Sequence, residues 1–476
     1  MGLNVLQIII NTMTDNIFLT IQTIEEPRRT STKLCALLGI KTQRISAVIL
    51  FVFIFSNIEA QQVFTIDDAL KTALQNNYAI QVAKHEADIS KVNNYAGNAG
   101  MLPRVSGAVL QDNQNANTEQ KYTNGTEKKA TGAANNQIAA NAELGWTIFD
   151  GLKMFATKNK LKELQDIGEI RMRFQIEFIF TRVIRAYFDV VLGKQLLTQN
   201  KESVKLSEER LSLAKDRFAA GKAAKNEVLN AQVDLNTDRS ALKRQEVSVK
   251  NSKASLNQII ARDVNVEFDV PEIIDINSEL KLEELKSNAI SQNVSILLAK
   301  KNAKVLSFGI KEIESERMPN LQLYSGYNYA NQNSQSGFVQ YSQSLGYHYG
   351  AGVTLNIFNG FNVSKRLQIA QIGLKESDLV LKDTISKIEL TVQQSYNTYL
   401  MDLELIKFEK ENVDVATQNF DLANDQYKIG VISSIELRQA QQNLILSNSR
   451  YLSVKYEAKL AETDLLRLSG GLFMLK

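Results

Sequence analysis

Side chains that carry catalysis or hold metals are scarce in this chain of 476 residues. Its two histidines, His85 and His348, lack metal-ligand spacing and have no thiol nearby. The one cysteine, Cys35, lies near the N-terminus, and no glycine-rich phosphate loop occurs. Adjacent carboxylates such as Glu208-Glu209 and Glu283-Glu284 fall in charged helical stretches and read as solvated faces. Catalysis is therefore not expected, nor is a metal or other cofactor. What remains is electrostatic. Glu227 and Glu436 follow Gly221 and Gly430 at the same distance, and each precedes an Ala-Gln pair, Ala231-Gln232 and Ala440-Gln441. A carboxylate in the first turn of a helix is favoured by the helix dipole, so capping is the plainest role for both.

These glutamates sit at turns between long helices. An apolar residue recurs every seventh position from Ile176 through Val183, Val190, Leu197, Val204 and Leu211 to Phe218. Beyond Gly221 the spacing resumes at Val228, Leu235, Leu242, Val249 and Leu256. A strict seven-residue repeat keeps one seam facing a partner only if the helices supercoil left-handedly, so 176–260 reads as a coiled-coil hairpin. Gly221 suits the left-handed residue that ends a helix, and Lys215 and Arg217 complement the negative end of its dipole. The device occurs again. Ile385, Val392, Tyr399, Ile406, Val413, Phe420 and Tyr427 rise to Gly430, and Leu437, Leu444, Tyr451, Ala458 and Leu465 descend. The tips span 218–228 and 427–437. The second adds the capping box Ser433-x-x-Glu436, where the first has Ala224 in place of the serine. As ladder residues, Phe218 and Tyr427 are expected in the seam.

Composition agrees with long helices: 44% hydrophobic and 22% charged residues, with only 4 prolines. A formal charge of +3, without a basic stripe of interleaved aromatics, argues against a nucleic-acid partner. Near the N-terminus Lys41 and Arg44 precede an apolar run from Ile45 to Phe55, and small Ala60 follows. This reads as a secretory signal peptide cut after Ala60. Residues 1–40 then read as an over-extended reading frame, with an uncleaved anchor as the alternative. Cys35 would leave with this segment, so no disulfide is expected in the mature chain.

The rest falls into two repeats, 61–277 and 278–476. Each opens with a helix, Ile66 to Met101 and Leu280 to Arg317, in which Ala73, Asn77, Ala83 and Ala87 match Ala289, Asn293, Ala299 and Ala303. Pro103 and Pro319 close these helices. Strands are expected at 103–113 and 137–149, and at 320–330 and 346–358, joined by polar loops at 113–136 and 331–345. In one strand Ile138, Ala140, Ala142, Leu144, Trp146 and Ile148 alternate with small and polar residues, which suits a wall between lipid and a wet lumen. Ile148-Phe149-Asp150-Gly151 and Ile357-Phe358-Asn359-Gly360 lead from strand to long helix.

Four strands cannot close a membrane barrel, because an open sheet leaves unpaired backbone edges in lipid. Several chains must share one barrel, and three would supply twelve strands. The duplicated helix-strand-strand-helix-tip-helix plan, the Phe-(Asp/Asn)-Gly junctions and the tips with their following Ala-Gln resemble the TolC family of outer-membrane efflux proteins. The resemblance covers nearly all of 61–476. It implies a fold that is mainly α with a β-barrel portion, a homotrimer in the outer membrane, and a helical barrel reaching into the periplasm. The implied function is a passive exit duct for small molecules or proteins, joined to a periplasmic adaptor and an inner-membrane efflux pump or ABC transporter. By motif position the entrance constriction falls on Glu436 and on Gln439, where the family carries a second acid. A closed-state tip link falls on Glu227 and Tyr427. The family's arginine link falls on Ile432, which cannot make it, so weaker closure is expected. The tip turns Gly221 and Gly430 are implied adaptor contacts, and Trp146, Tyr327, Tyr329, Tyr347 and Tyr349 a girdle in outer-membrane lipid. A periplasmic coiled-coil scaffold and a constitutively open porin stand as alternatives.

Overall fold

The computed structural model describes residues 63–472, so the signal-peptide reading and Cys35 lie outside the described residues. Within them one series of elements runs twice. The first pass is α1 (Ile66–Asn76), α2 (Tyr78–Asn93), β1 (Arg104–Lys121), β2 (Glu127–Asp150), α3 (Lys153–Ala219) and α4 (Lys225–Ile259). The second is α5 (Leu282–Gln292), α6 (Val294–Ser315), β3 (Asn320–Ser334), β4 (Tyr341–Thr354), α7 (Asn362–Lys428) and α8 (Ser434–Leu468). The opening helices, expected to be continuous, are each cut in two, at Asn77 and at Asn293, and α2 ends at Asn93, short of Met101. Both asparagines have extended backbones and cap the next helix: Asn77 Oδ1 accepts from the Ala79 and Ile80 amides, and Asn293 Oδ1 from the Ser295 amide. An asparagine that satisfies the free amides of a new helix competes with continuing the old one.

The strands form one antiparallel sheet in chain order, β1-β2-β3-β4. Its register gathers Val105 and Val109, Ala140, Ala142, Leu144 and Trp146, Leu323, Tyr327 and Tyr329, and Leu345, Tyr347, Tyr349 and Val353 on one face. Ser106, Asn141, Glu143, Asn328, His348 and Gly350 occupy the other. The strands outrun their expected ends. They have 18, 24, 15 and 14 residues, against about 9–11 needed to cross a bilayer. The expected polar loops shrink to turns at 122–126 and 335–340. Their flanks are rich in Asn, Gln and Thr on both faces, which leaves no apolar alternation to read although the backbones pair. At the other end β4 stops at Thr354. A bulge between Thr147 and Phe149 sets Phe149, not Ile148, beside Leu321.

The sheet passes into the long helices through Gly151-Leu152 and Gly360-Phe361, all four residues left-handed, with φ of 71°, 71°, 66° and 63°. Asp150 accepts from the Met154 amide at 3.1 and 2.9 Å and so closes the start of α3. A Cβ on Gly151 would lie 2.4 Å from the Ser315 carbonyl oxygen, whereas one on Gly360 would meet only the Asn362 amide at 3.8 Å.

Helices α3 and α7 have 67 residues each, roughly 100 Å of helix, and α4 and α8 fold back along them. Val183, Val190, Val204 and Leu211 of α3, and Leu235, Val249 and Leu256 of α4, are buried, as are Val392, Tyr399, Phe420 and Tyr427 of α7 with Leu437, Ala458 and Leu465 of α8. Phe218 departs from its expected place and is 45% exposed. The first seam's last layer is Leu211 and Ala214 on Val228 and Ala231, after which the chain reverses. The largest core lies where α1 and the end of α4 meet α3, sealed by linker residues Phe268, Val270 and Ile274. Leu285, Ala289, Val392, Tyr399, Leu465 and Leu468 form its counterpart in the second pass.

Helix α3 packs between α2 and α6, and α6 between α3 and α7, so α2-α3-α6-α7 make a layer that continues the sheet. Its edge helices expose apolar stripes, Tyr78, Val82, Ile89 and Val92 on α2, and Ile369, Ile372 and Leu379 on α7. Among the described residues no helix is long and apolar enough to cross a membrane.

Gly151→Ala is expected to incur both the left-handed backbone penalty, about 1–2 kcal/mol, and a clash with α6, whereas Gly360→Ala incurs only the first. Thermal scans should therefore rank Gly151→Ala below Gly360→Ala, and equal midpoints would contradict the tight junction. A second expectation concerns Asp402, which is 2% exposed. Burial, aided by the Glu457 charge, pushes its carboxyl up to about 6. A raised carboxyl is penalised once ionised, so the stability it permits is lost as pH rises through 6 and regained towards its ordinary 3.8. Acidification from pH 7 to pH 5 should add about 1 kcal/mol relative to Asp402→Asn, read as the difference between their thermal midpoints.

Candidate functional site

Both tips end their ascending helices in the same way. Gly221 and Gly430 are left-handed, at φ 70° and 83°. The Lys222 amide donates to the Arg217 carbonyl at 2.8 Å and the Val431 amide to the Gln426 carbonyl at 2.9 Å, the long bond of a Schellman cap in each tip. The descending helices start differently. Ser433 Oγ accepts from the Glu436 amide at 3.3 Å while Glu436 Oε2 accepts from the Ser433 amide at 2.8 Å, completing the expected box. That backbone bond holds the exposed Glu436 carboxyl below the usual range. Ala224 makes no side-chain cap for α4. Gln439 is exposed one turn beyond Glu436 and donates to Asn443 at 3.0 Å.

The structure brings Glu227 and Tyr427 together. Tyr427 Oη donates to Glu227 Oε1 at 2.6 Å, joining the second hairpin to the first. Tyr427 is fully buried. Burial, with Glu227 accepting its proton, pushes its hydroxyl up to about 12. Arg217 completes the contact from the first tip: its guanidinium carbon stands 4.9 Å above the Tyr427 ring, and Nη1 donates to the Tyr427 carbonyl at 3.2 Å and lies 3.8 Å from Glu227. Ile432, at the position of the missing arginine, packs against the apolar cluster of Phe420, Tyr427 and Leu437.

A second set of links lies further from the tips and was not foreseen. Arg438 of α8 donates from Nη1 and Nη2 to Asp238 of α4 at 2.8 and 2.9 Å. Asp238 also accepts from Ser207 Oγ at 2.5 Å, and Gln441 Nε2 donates to Ser207 Oγ at 3.3 Å. Arg210 pairs with Asp234 alongside. Burial alone would raise the Asp238 carboxyl, but hydrogen bonds from Arg438 and Ser207 outweigh it and hold it low. Arg210 and Asp238 are nine-tenths buried or more. The sequence offered a signal, since Asp234 and Asp238 are one helical turn apart on α4 and Arg438 follows a seam residue of α8. Nothing local assigned them to each other.

Trp146, Tyr327, Tyr329, Tyr347 and Tyr349 lie apart from the tips, on the apolar face of the sheet. Tyr347 and Tyr349 are 77% and 78% exposed and stack at 6.4 Å. Trp146 Nε1 donates to the Met101 carbonyl at 3.0 Å where the sheet meets the helices.

The sequence matches the outer membrane efflux protein family over 69–262 and again over 285–471, once in each repeat. The chain is similar to the alkaline protease secretion protein AprF of Pseudomonas aeruginosa, 18% identical over 398 residues, covering 82% of this chain and 81% of that protein. It is similar to the outer membrane protein TolC of Escherichia coli (strain K12), 24% identical over 378 residues, covering 74% and 75%. The crystal structure of the Campylobacter jejuni CmeC outer membrane channel shares the fold, with a TM-score of 0.69 over 86% of both chains at 15% identity. With four strands, two hairpins and a family match in each repeat, the chain belongs to the outer membrane efflux protein family and is an outer-membrane exit duct whose helices extend into the periplasm.

Proposed function

We propose that three copies of this chain close into one duct that is shut at rest by links between its hairpin tips. It conducts small molecules or proteins outward, while an inner-membrane efflux pump or ABC transporter, coupled through a periplasmic adaptor, supplies the energy. Closure by like copies is supported by the two kinds of open edge: β4 of one copy pairs with β1 of the next, and the stripe on α7 covers the stripe on α2. The face bearing Trp146 and the four tyrosines meets outer-membrane lipid as an aromatic girdle, and the face bearing Ser106, Asn141, Asn328 and His348 lines the wet lumen.

The observation that carries the gate is the Tyr427 hydroxyl on Glu227, a bond between the hairpins of one chain. With it intact the second hairpin follows the first; once it is broken the second hairpin swings independently. Arg438 on Asp238 and Gln441 on Ser207 add links of the same kind, which offset the arginine that is absent at Ile432. Glu436 and Gln439 stand on the exposed side of α8 and form the entrance constriction. There Glu436 caps its helix and contributes one carboxylate per chain to a ring. The turns at Gly221 and Gly430 present themselves to the adaptor.

A hydrogen bond to a charged group contributes about 1.5–3 kcal/mol, so losing one per chain should shift the closed–open balance roughly ten-fold or more. In planar bilayers the double variant Tyr427→Phe with Arg438→Ala is expected to raise resting conductance well above either single variant. Wild-type conductance in the double variant would place the closing contacts elsewhere. Glu436→Ala is expected to weaken cation selectivity and block by divalent ions. Unaltered selectivity and block would leave Glu436 a capping residue alone.

A further inference from the structure

We propose that Asn77 and Asn293 are the fulcrums about which the two hairpins tilt, positioning residues that act through the helix ends they hold. The inference rests on the gate described above. Each asparagine does more than cap. While its Oδ1 accepts from the amides of the following helix, Asn77 Nδ2 donates to the carbonyl of Ile259, the last residue of α4, at 2.7 Å. Asn293 Nδ2 donates to the carbonyl of Leu468, the last residue of α8, at 3.0 Å. One side chain thus satisfies a free amide at the start of one helix and a free carbonyl at the end of another. The two residues are 9% and 4% exposed, and the arrangement recurs at matching positions of the two repeats. An N-cap by itself needs only an oxygen, which Ser, Thr or Asp would supply equally well. The donor that distinguishes asparagine is used only by the clamp.

The surroundings make the clamp a pivot. Leu256 and Ile260 beside the first clamp, and Leu465 and Leu468 beside the second, are buried in the two main cores. Near the tips the seams thin to small clusters, and Phe218, Ile429, Val431 and Ile435 are exposed. Helices α3 and α7 continue unbroken past the clamps, so within each hairpin the descending helix is the one with an end at that level. From a pinned end, the 35 residues of α8 reach about 50 Å, and a tilt of about 10° moves the tip by roughly 9 Å. A small rotation at Asn293 therefore becomes a wide displacement at Glu436.

The test separates the donor from the cap. Asn293→Asp keeps the capping oxygen and loses the donor, whereas Asn293→Ala loses both. Spin labels on Ile435→Cys in a Cys35→Ser background report the tip spacing of the full-length oligomer by pulsed dipolar spectroscopy, alongside bilayer conductance and heat resistance. Asn293→Asp is expected to broaden the tip-distance distribution at least two-fold and raise resting conductance several-fold with heat resistance unchanged, as Asn293→Ala does. A purely capping role predicts wild-type behaviour for Asn293→Asp. If Tyr427→Phe shifts both readouts and Asn293→Asp shifts neither, the fulcrum is overturned and the gate stands. If neither variant shifts them, the gate reading fails and the fulcrum with it. Should Asn293→Asp not assemble, hydrogen exchange of the unaltered protein decides. Protection along α8 should fall steadily from Leu468 towards Ser434, and a flat or reversed profile overturns the proposal.

Discussion

A strand edge left unpaired in hydrocarbon forfeits a row of backbone hydrogen bonds, and the rest of this structure depends on that constraint. The sheet β1-β2-β3-β4 ends in two open edges, and the helical layer beneath it repeats the problem with apolar stripes on α2 and α7. The association with like chains proposed above relieves both at once, because strands and helices run in one continuous lateral order. The junctions make that order possible. Two successive left-handed residues turn each strand into its long helix, and at Gly151 the turn is so close to Ser315 that no side chain fits.

The hairpins answer a different requirement. A seam of apolar residues at seven-residue spacing packs nearly as well when one helix slips by a repeat, so apolar packing alone leaves the register of one hairpin on another weakly specified. Arg438 on Asp238 and Tyr427 on Glu227 are each satisfied at one register only, and Arg210 on Asp234 does the same within the first hairpin. Their worth is specificity more than stability. Burying charges costs desolvation that a pair only partly repays, and here Arg210 Nε and Nη1 and Arg438 Nε find no acceptor among the described residues. For the gate proposed above, groups left unsatisfied in this way keep the closed arrangement from being overly stable.

Much of this was legible beforehand because it is local. The seven-residue ladders, the glycine at each tip, the Ser433 to Glu436 box and the alternating faces of the strands depend on residues a few positions apart, and the structure has them where their spacing puts them. The misreadings share a cause as well. The outer parts of the strands carry polar residues on both faces, so pairing there is dictated by the neighbouring strand. Phe218 keeps the ladder's spacing but lies past the last layer that has a partner. Asn77 and Asn293 were visible as matching residues, but their spacing looked helical on both sides, and the helix breaks there because each amide meets the end of a helix that is distant in sequence.

The sequence by itself determined the repeat, the element types, the tips and the faces, since each follows from the 3.6- and 2-residue periods and from turn chemistry. Only the tertiary structure decided which polar groups meet. Asp238 and Arg438, like Glu227 and Tyr427, are 200 residues apart, and no local rule selects one carboxylate for one cation at that range. Their choice is made by the way two independently supercoiled hairpins come to lie side by side, where burial makes any unpaired charge too costly to keep.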